Sequence, residues 1–219
     1  MNERGVLFDV TDCEVLESVM ARRRDVRGNR FTSDAVSDDS INRIIDAGLC
    51  APSVGFSQPW EFVVVRDVNI RAQVRDSHLC ENARASKQFD EEKSRLYRQL
   101  KLDGIVEAPV NVAVFYRPSD EPVLGQSTMR EVGLYSVVCA VQNMWLMARA
   151  LNLGMGWVSI LDPEQVKSIL HAAAPLQLIA YLCVGHVDRF EEQPELERLG
   201  WEKRKMREQV VHHERFANR

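Results

Sequence analysis

"RRRDVRGNRF", residues 22–31, puts five arginines into ten residues at the point where an apolar helical pattern stops. Upstream, Val15, Leu16 and Val19 follow a Thr11–Glu14 pair with capping-box spacing, so a helix is expected to start at Thr11 and run straight into the cluster. If residues 23–27 leave that helix in an extended conformation, Arg23, Asp25 and Arg27 project to one side. That makes a fork of cations around one carboxylate, suited to a phosphate. The competing reading is a solvated helix end whose charges complement the helix dipole.

A second helix is expected over Asp38–Leu49, with Ile41, Ile44, Ile45 and Leu49 on one side, broken by the turn-rich "APSVGFSQP". Four stretches read as strands: "WEFVVV" (60–65), "VNVAVFY" (110–116), "MGWVSIL" (155–161), which would hold Ser159, and "LQLIAYLCVG" (176–185). Residues 67–107 are charged and read as a solvated helical excursion. The segment from Arg130 to Leu151 is apolar on more than one face and suits a central helix buried by several partners, another subunit among them. Asp162 and Pro163 start a further helix as N-cap and first helical residue. Residues 190–219 are too charged to form a core and are expected to wrap over the domain or a second subunit as a C-terminal arm. Strands alternating with helices imply one domain over residues 1–219, of α+β or α/β class, with helices on the faces of a sheet.

Composition excludes several classes. With 28 Lys+Arg against 32 Asp+Glu and a net charge of −4, the chain offers no cationic field for nucleic acid, so the arginine cluster is a local feature. Five cysteines without a CxxC pair point to reduced, mostly buried thiols in a cytoplasm, and the histidine spacing suggests no metal. The N-terminal "MNERGVLFDV" lacks the pattern of a secretory signal, and the apolar run from residue 132 to 154 is interrupted by Gln142, Asn143 and Arg149, which argues against a membrane span. There is no GxGxxG for a Rossmann nicotinamide site and no GxSxG for a nucleophilic serine.

Three stretches together carry a resemblance: "RRRDVRGNRF", "APSVGFSQPW" (51–60) and "LGMGWVSIL" (153–161). In order and spacing the chain resembles the nitroreductase-like flavoproteins over nearly its full length. The features "RRDVRGNRF", "LKLDGIVEAPVNVAVF" and "GWVSILDP" are similar to the oxygen-dependent branch whose members consume their own flavin in vitamin B12 biosynthesis. The resemblance implies an α+β fold with a central mixed, mainly antiparallel sheet flanked by helices, in an intertwined homodimer with FMN between the subunits. It implies reduced FMN as substrate and dioxygen as co-substrate, with fragmentation to 5,6-dimethylbenzimidazole and erythrose 4-phosphate.

By the same resemblance Arg23, Arg24, Val26 and Arg27 lie along the FMN, and Pro52, Ser53 and Gly55 belong to the flavin loop. Gly156 and Trp157 approach the ring edge, and Arg204, with Lys203 as the alternative, reaches the phosphate. Asp25 departs from ordinary nitroreductases, which carry a small polar residue there. It is the candidate acid–base group at the ribityl chain, expected to be kept ionised by its arginines. Ser159 is the second candidate catalytic residue, where oxygen adds to the reduced ring. Phe56 stands where many nitroreductases have Asn, which suits a lid that excludes water. An NAD(P)H-dependent nitroreductase, flavin reductase or cobalt-corrin reductase on the same fold, and a non-catalytic flavin carrier, are the other readings. The missing nicotinamide motif leans towards a separate reductase as the source of reduced flavin.

Overall fold

The computed structural model describes residues 7–216, so the ends of the N-terminal segment and of the C-terminal arm lie outside the described residues. In chain order the elements are α1 (Val10–Arg22), α2 (Asp38–Leu49), β1 (Trp60–Val65), α3 (Val68–Ala85), α4 (Glu91–Tyr97), β2 (Val110–Tyr116), α5 (Val132–Ala150), β3 (Gly154–Val158), α6 (Pro163–Ile169), β4 (Gln177–Gly185), α7 (Glu195–Arg198) and α8 (Arg207–Val210). The strands form one sheet in the order β1-β2-β4-β3. Every neighbouring pair is antiparallel, in keeping with the expected mainly antiparallel sheet. The parallel pairing that does occur is an isolated bridge, Asp25 to Met155.

Helices cover both faces, and the side-chain alternation of the two central strands shows how. Val110, Val112 and Val114 of β2 and Ala180, Leu182 and Val184 of β4 point into one core with α2 and α5. Ala113, Phe115, Tyr181 and Cys183 point into the other, with Val74 of α3 and Val166 of α6. Burial on both faces makes these strands near-continuous apolar runs. At about 1.5–3 kcal/mol for each fully buried large apolar side chain, this register is strongly fixed, because a slip by one residue exchanges the two faces.

Local signals set most helix ends. Ser37 caps α2 by accepting the Ser40 N–H at 3.1 Å, and Asp162 caps α6, with Pro163 in its first turn. The start of α1 differs from expectation. Asp9 is its N-cap, in a reciprocal capping box with Asp12 in which each backbone N–H meets the other's carboxylate at 3.0 Å. Two short acidic side chains satisfy two backbone donors here, two residues ahead of the Thr11–Glu14 pair.

Two further expectations are corrected. The excursion is not simply solvated, since Arg71, Val74, Ser77 and His78 of α3 are buried. The thiols are not mostly buried: Cys13, Cys50, Cys80 and Cys139 are exposed, and only Cys183 is enclosed. Among the described residues no helix is long and apolar enough to cross a membrane.

Candidate functional site: an arginine cleft on the edge of the sheet

β3 is an edge strand, and the arginine segment covers its free edge. Arg23 closes α1 in an extended conformation (φ −64°, ψ 135°), its N–H donating to Val19 O at 3.0 Å. The Val26 N–H then donates to Met155 O at 3.0 Å, and the Trp157 N–H donates to Asp25 Oδ1 at 3.1 Å. The segment can lie this close because residue 156 is glycine: a Cβ there would sit 2.1 Å from the Val26 carbonyl oxygen. The extended exit read from the sequence is therefore present. Val26 turns into the protein, and Arg23, Asp25 and Arg27 turn to the cleft.

Each basic side chain has a distinct role. Arg27 forms an ion pair with Asp25 and donates to Leu102 O at 3.3 Å and Trp157 O at 3.4 Å. Arg23 lies 4.6 Å above the ring centroid of Trp145, whose Nε1 donates to Arg24 O at 3.3 Å. Arg24 donates to Ala21 O and Arg23 O, and to Glu192 O of the C-terminal arm. Its buried Nε has no partner. Arg204 comes from the far end of the chain into the same cleft, a cavity of about 260 Å³. Four arginines (23, 24, 27 and 204) line it against two carboxylates, Asp25 and Glu195, an excess of two positive charges that matches a phosphate monoester dianion.

Burial pushes Arg23 below the ordinary arginine value, an effect opposed by Asp25 and reinforced by Arg24 and Arg204. An anion in the cleft would relieve that crowding. Asp25 is pushed above the ordinary carboxylate value, chiefly by burial, with Arg27, the Trp157 N–H and Arg23 pulling it down and Glu195 pushing it further up. The arginines expected to keep Asp25 ionised do favour its charged form, but desolvation is the larger effect and raises its affinity for a proton. A carboxyl raised in this way can both take and return a proton nearer neutrality.

The remaining candidates lie elsewhere. Pro52, Ser53 and Gly55 sit in the loop whose Val54 N–H donates to Ser136 Oγ at 3.1 Å, near the start of α5, whereas Trp145 supports the arginine segment further along the same helix. Nine residues of helix separate Ser136 from Trp145, roughly 13 Å at 1.5 Å per residue. Within one chain the loop and the cleft therefore do not meet. Gly55, Phe56 and Gln58 all have left-handed backbone (φ 56°, 55° and 48°), and Phe56 is largely exposed. Ser159 lies just past β3 and is exposed, not inside a strand as expected. Trp145 and Glu195 belong to the site and were not singled out from the sequence, where neither has a motif around it. Among the described residues no group of three or more His, Cys, Asp or Glu side chains is arranged to hold a metal ion.

Residues 20–186 match the nitroreductase family. The chain is 42% identical over 203 residues to the 5,6-dimethylbenzimidazole synthase of Rhodospirillum rubrum, covering 92% of this chain and 95% of that protein. It is 36% identical over 197 residues to the enzyme of the same name from Rhodobacter capsulatus, covering 89% and 94%. Among solved structures, oxidized iodotyrosine deiodinase bound to FMN and 3-iodo-L-tyrosine superposes with a TM-score of 0.72 at 20% identity, over 92% of this chain and all of that one.

Proposed function

The chain belongs to the nitroreductase family, and we propose that within it the protein acts as a 5,6-dimethylbenzimidazole synthase, fragmenting reduced FMN with dioxygen to give the lower ligand of cobalamin and erythrose 4-phosphate. The observation that carries this reading is the 42% identity to a protein of that name along 95% of its length. FMN suits the cleft on the chemistry of its residues: an excess of two positive charges and a buried, unpartnered Arg24 Nε. When bound, reduced FMN supplies the isoalloxazine ring that reacts with dioxygen and the ribityl chain that is cut.

In this reading Arg23 and Arg204 hold the phosphate, and Arg24 fixes the C-terminal arm against the arginine segment. Arg27 and the Trp157 N–H orient the Asp25 carboxylate. Asp25, with its raised affinity for a proton, would serve as the group that takes and holds a proton from the first ribityl carbon. Ser159, two residues and roughly 7 Å along the chain from Trp157, presents its hydroxyl where dioxygen meets the ring.

The site is completed by a second copy. A cavity of about 260 Å³ is small beside the roughly 300–1,000 Å³ typical of ligand pockets, and the Pro52–Gly55 loop is held away from it. α1 buries none of its own residues, and with α5 it borders an apolar groove of about 610 Å³ lined by Phe8, Val15, Leu16, Val19, Leu146 and Met147. A partner docked there forms an intertwined homodimer and brings its loop, Phe56 included, over the cleft of the first. The free cysteines fit the reducing cytoplasm, and reduced flavin comes from a separate reductase. The test is turnover: the protein loaded with reduced FMN and exposed to oxygen forms 5,6-dimethylbenzimidazole, while rapid NAD(P)H oxidation with an added electron acceptor and an intact flavin would favour a conventional nitroreductase.

A further inference from the structure

α3 carries a buried polar stripe outside the arginine cleft. Arg71, Ser77 and His78 are 8%, 0% and 3% exposed, although the helix reads as charged and solvated in sequence. Arg71 donates to the carbonyls of Val106 and Ala108 at 2.9 and 2.6 Å, which anchors the helix to the loop before β2. About two helical turns further on, Ser77 and His78 grip the segment that follows Ser159. Ser77 Oγ accepts the Asp162 N–H at 3.1 Å, and His78 Nδ1 lies 3.0 Å from Ile160 O. A carbonyl can only accept, so Nδ1 carries the proton and donates it. The other ring nitrogen, Nε2, faces Asp103 Oδ2 at 3.5 Å. The carbonyl of Asp103 accepts the Gly28 N–H at 2.7 Å, and the carbonyl of Leu102 accepts from Arg27. Two consecutive buried side chains therefore hold the Ser159 segment from one side and face the loop that holds the arginine segment on the other.

We infer that Ser77 and His78 are positioning residues for Ser159. Val158 and Leu161 anchor the segment by apolar burial, but burial is non-directional and does not fix the main chain of a residue lying between two anchors. The hydrogen bonds at Ile160 O and Asp162 N do fix it. They set where the exposed Ser159 hydroxyl points and hence whether dioxygen is committed to ring cleavage. The alternative fate is uncoupled reoxidation, in which the two electrons and two protons of reduced FMN pass to dioxygen as hydrogen peroxide and the flavin survives oxidised. The assignment of positioning to these residues rests on the proposed function only through the role given to Ser159.

The test compares two isosteres. In His78→Asn the amide nitrogen overlays Nδ1 and keeps the bond to Ile160 O, whereas in His78→Gln it overlays Nε2 and loses that bond. Ser77→Ala removes the acceptor for Asp162 N–H. Hydrogen–deuterium exchange of residues 158–163 is measured on the flavin-free protein, and the ratio of 5,6-dimethylbenzimidazole to peroxide on the protein loaded with reduced FMN. The expected result is exchange at least fivefold faster in His78→Gln and Ser77→Ala and close to wild type in His78→Asn. The product ratio falls at least tenfold in the first two, with FMN affinity within twofold throughout. Equal exchange in His78→Asn and His78→Gln, or unchanged exchange in Ser77→Ala, overturns the inference. A wild type that forms no 5,6-dimethylbenzimidazole would sink the proposed function instead, and the exchange comparison would still decide the positioning role.

Discussion

Gly156→Ala places the strain on the contact that builds the site. The added Cβ would lie 2.1 Å from Val26 O, where ordinary contact begins at 3.4 Å, so the arginine segment must move off β3 by about the difference, 1.3 Å. A shift of that size breaks the Val26–Met155 hydrogen bond and the one from the Trp157 N–H to the Asp25 carboxylate. A neutral bond is worth about 1 kcal/mol and one to a charged group about 1.5–3, so the loss is about 2.5–4 kcal/mol. For a chain of this length that corresponds to a fall in Tm of roughly 5–15 °C. The measurement is thermal unfolding of the flavin-free protein beside an FMN titration followed by flavin fluorescence, in which affinity should fall at least tenfold because Arg23 and Arg27 ride on the displaced segment. A variant within 1 °C and twofold of wild type would refute the claim that Gly156 seats the cleft.

Three other outcomes are expected. Asp25→Asn should abolish 5,6-dimethylbenzimidazole formation while FMN still binds. Because the folded pKa of Asp25 is raised, its stabilising contribution is full below the ordinary value of 3.8 and is lost as pH rises through the folded value. The wild-type minus Asp25→Asn difference in urea midpoint should therefore decline with rising pH across that window, and a difference that grows would contradict the assignment. Arg204→Ala should weaken FMN by about tenfold to a hundredfold, the worth of a charge-assisted contact, and leave riboflavin affinity nearly unchanged; equal losses for both ligands would remove Arg204 from the phosphate. Trp201→Ala removes ring contacts at 5.1 Å to Phe89 and 6.1 Å to Tyr97, each worth about 0.5–1.5 kcal/mol beyond area burial. It should loosen the arm that carries Arg204 and weaken FMN without altering riboflavin affinity.

The readable parts of this chain are those whose physics is local. The bounds of α2, β1 and β2, the Asp162 cap of α6 and the one-sided projection of Arg23, Asp25 and Arg27 follow from periodicity, capping and strand alternation. What could not be read depends on partners distant in sequence. Arg71 and His78 look solvated until the carbonyls of Val106, Ala108 and Ile160 are brought to them. The arginines around Asp25 are visible in the string, but the burial that outweighs them is not. Two capping boxes compete within a few residues of each other at the start of α1, and the Asp9–Asp12 box wins. Central strands that are apolar on both faces carry no mark of their direction in the sequence pattern, and only the pairing shows that each neighbour is antiparallel. The split between the Pro52–Gly55 loop and the arginine cleft has no sequence signature at all, because it is set by the length of α5.

The most direct measurement loads the protein anaerobically with reduced FMN, admits oxygen and identifies by mass what leaves it. The account predicts 5,6-dimethylbenzimidazole and erythrose 4-phosphate, with loss of the flavin and dependence on Asp25. Intact oxidised FMN together with hydrogen peroxide as the sole products would contradict it.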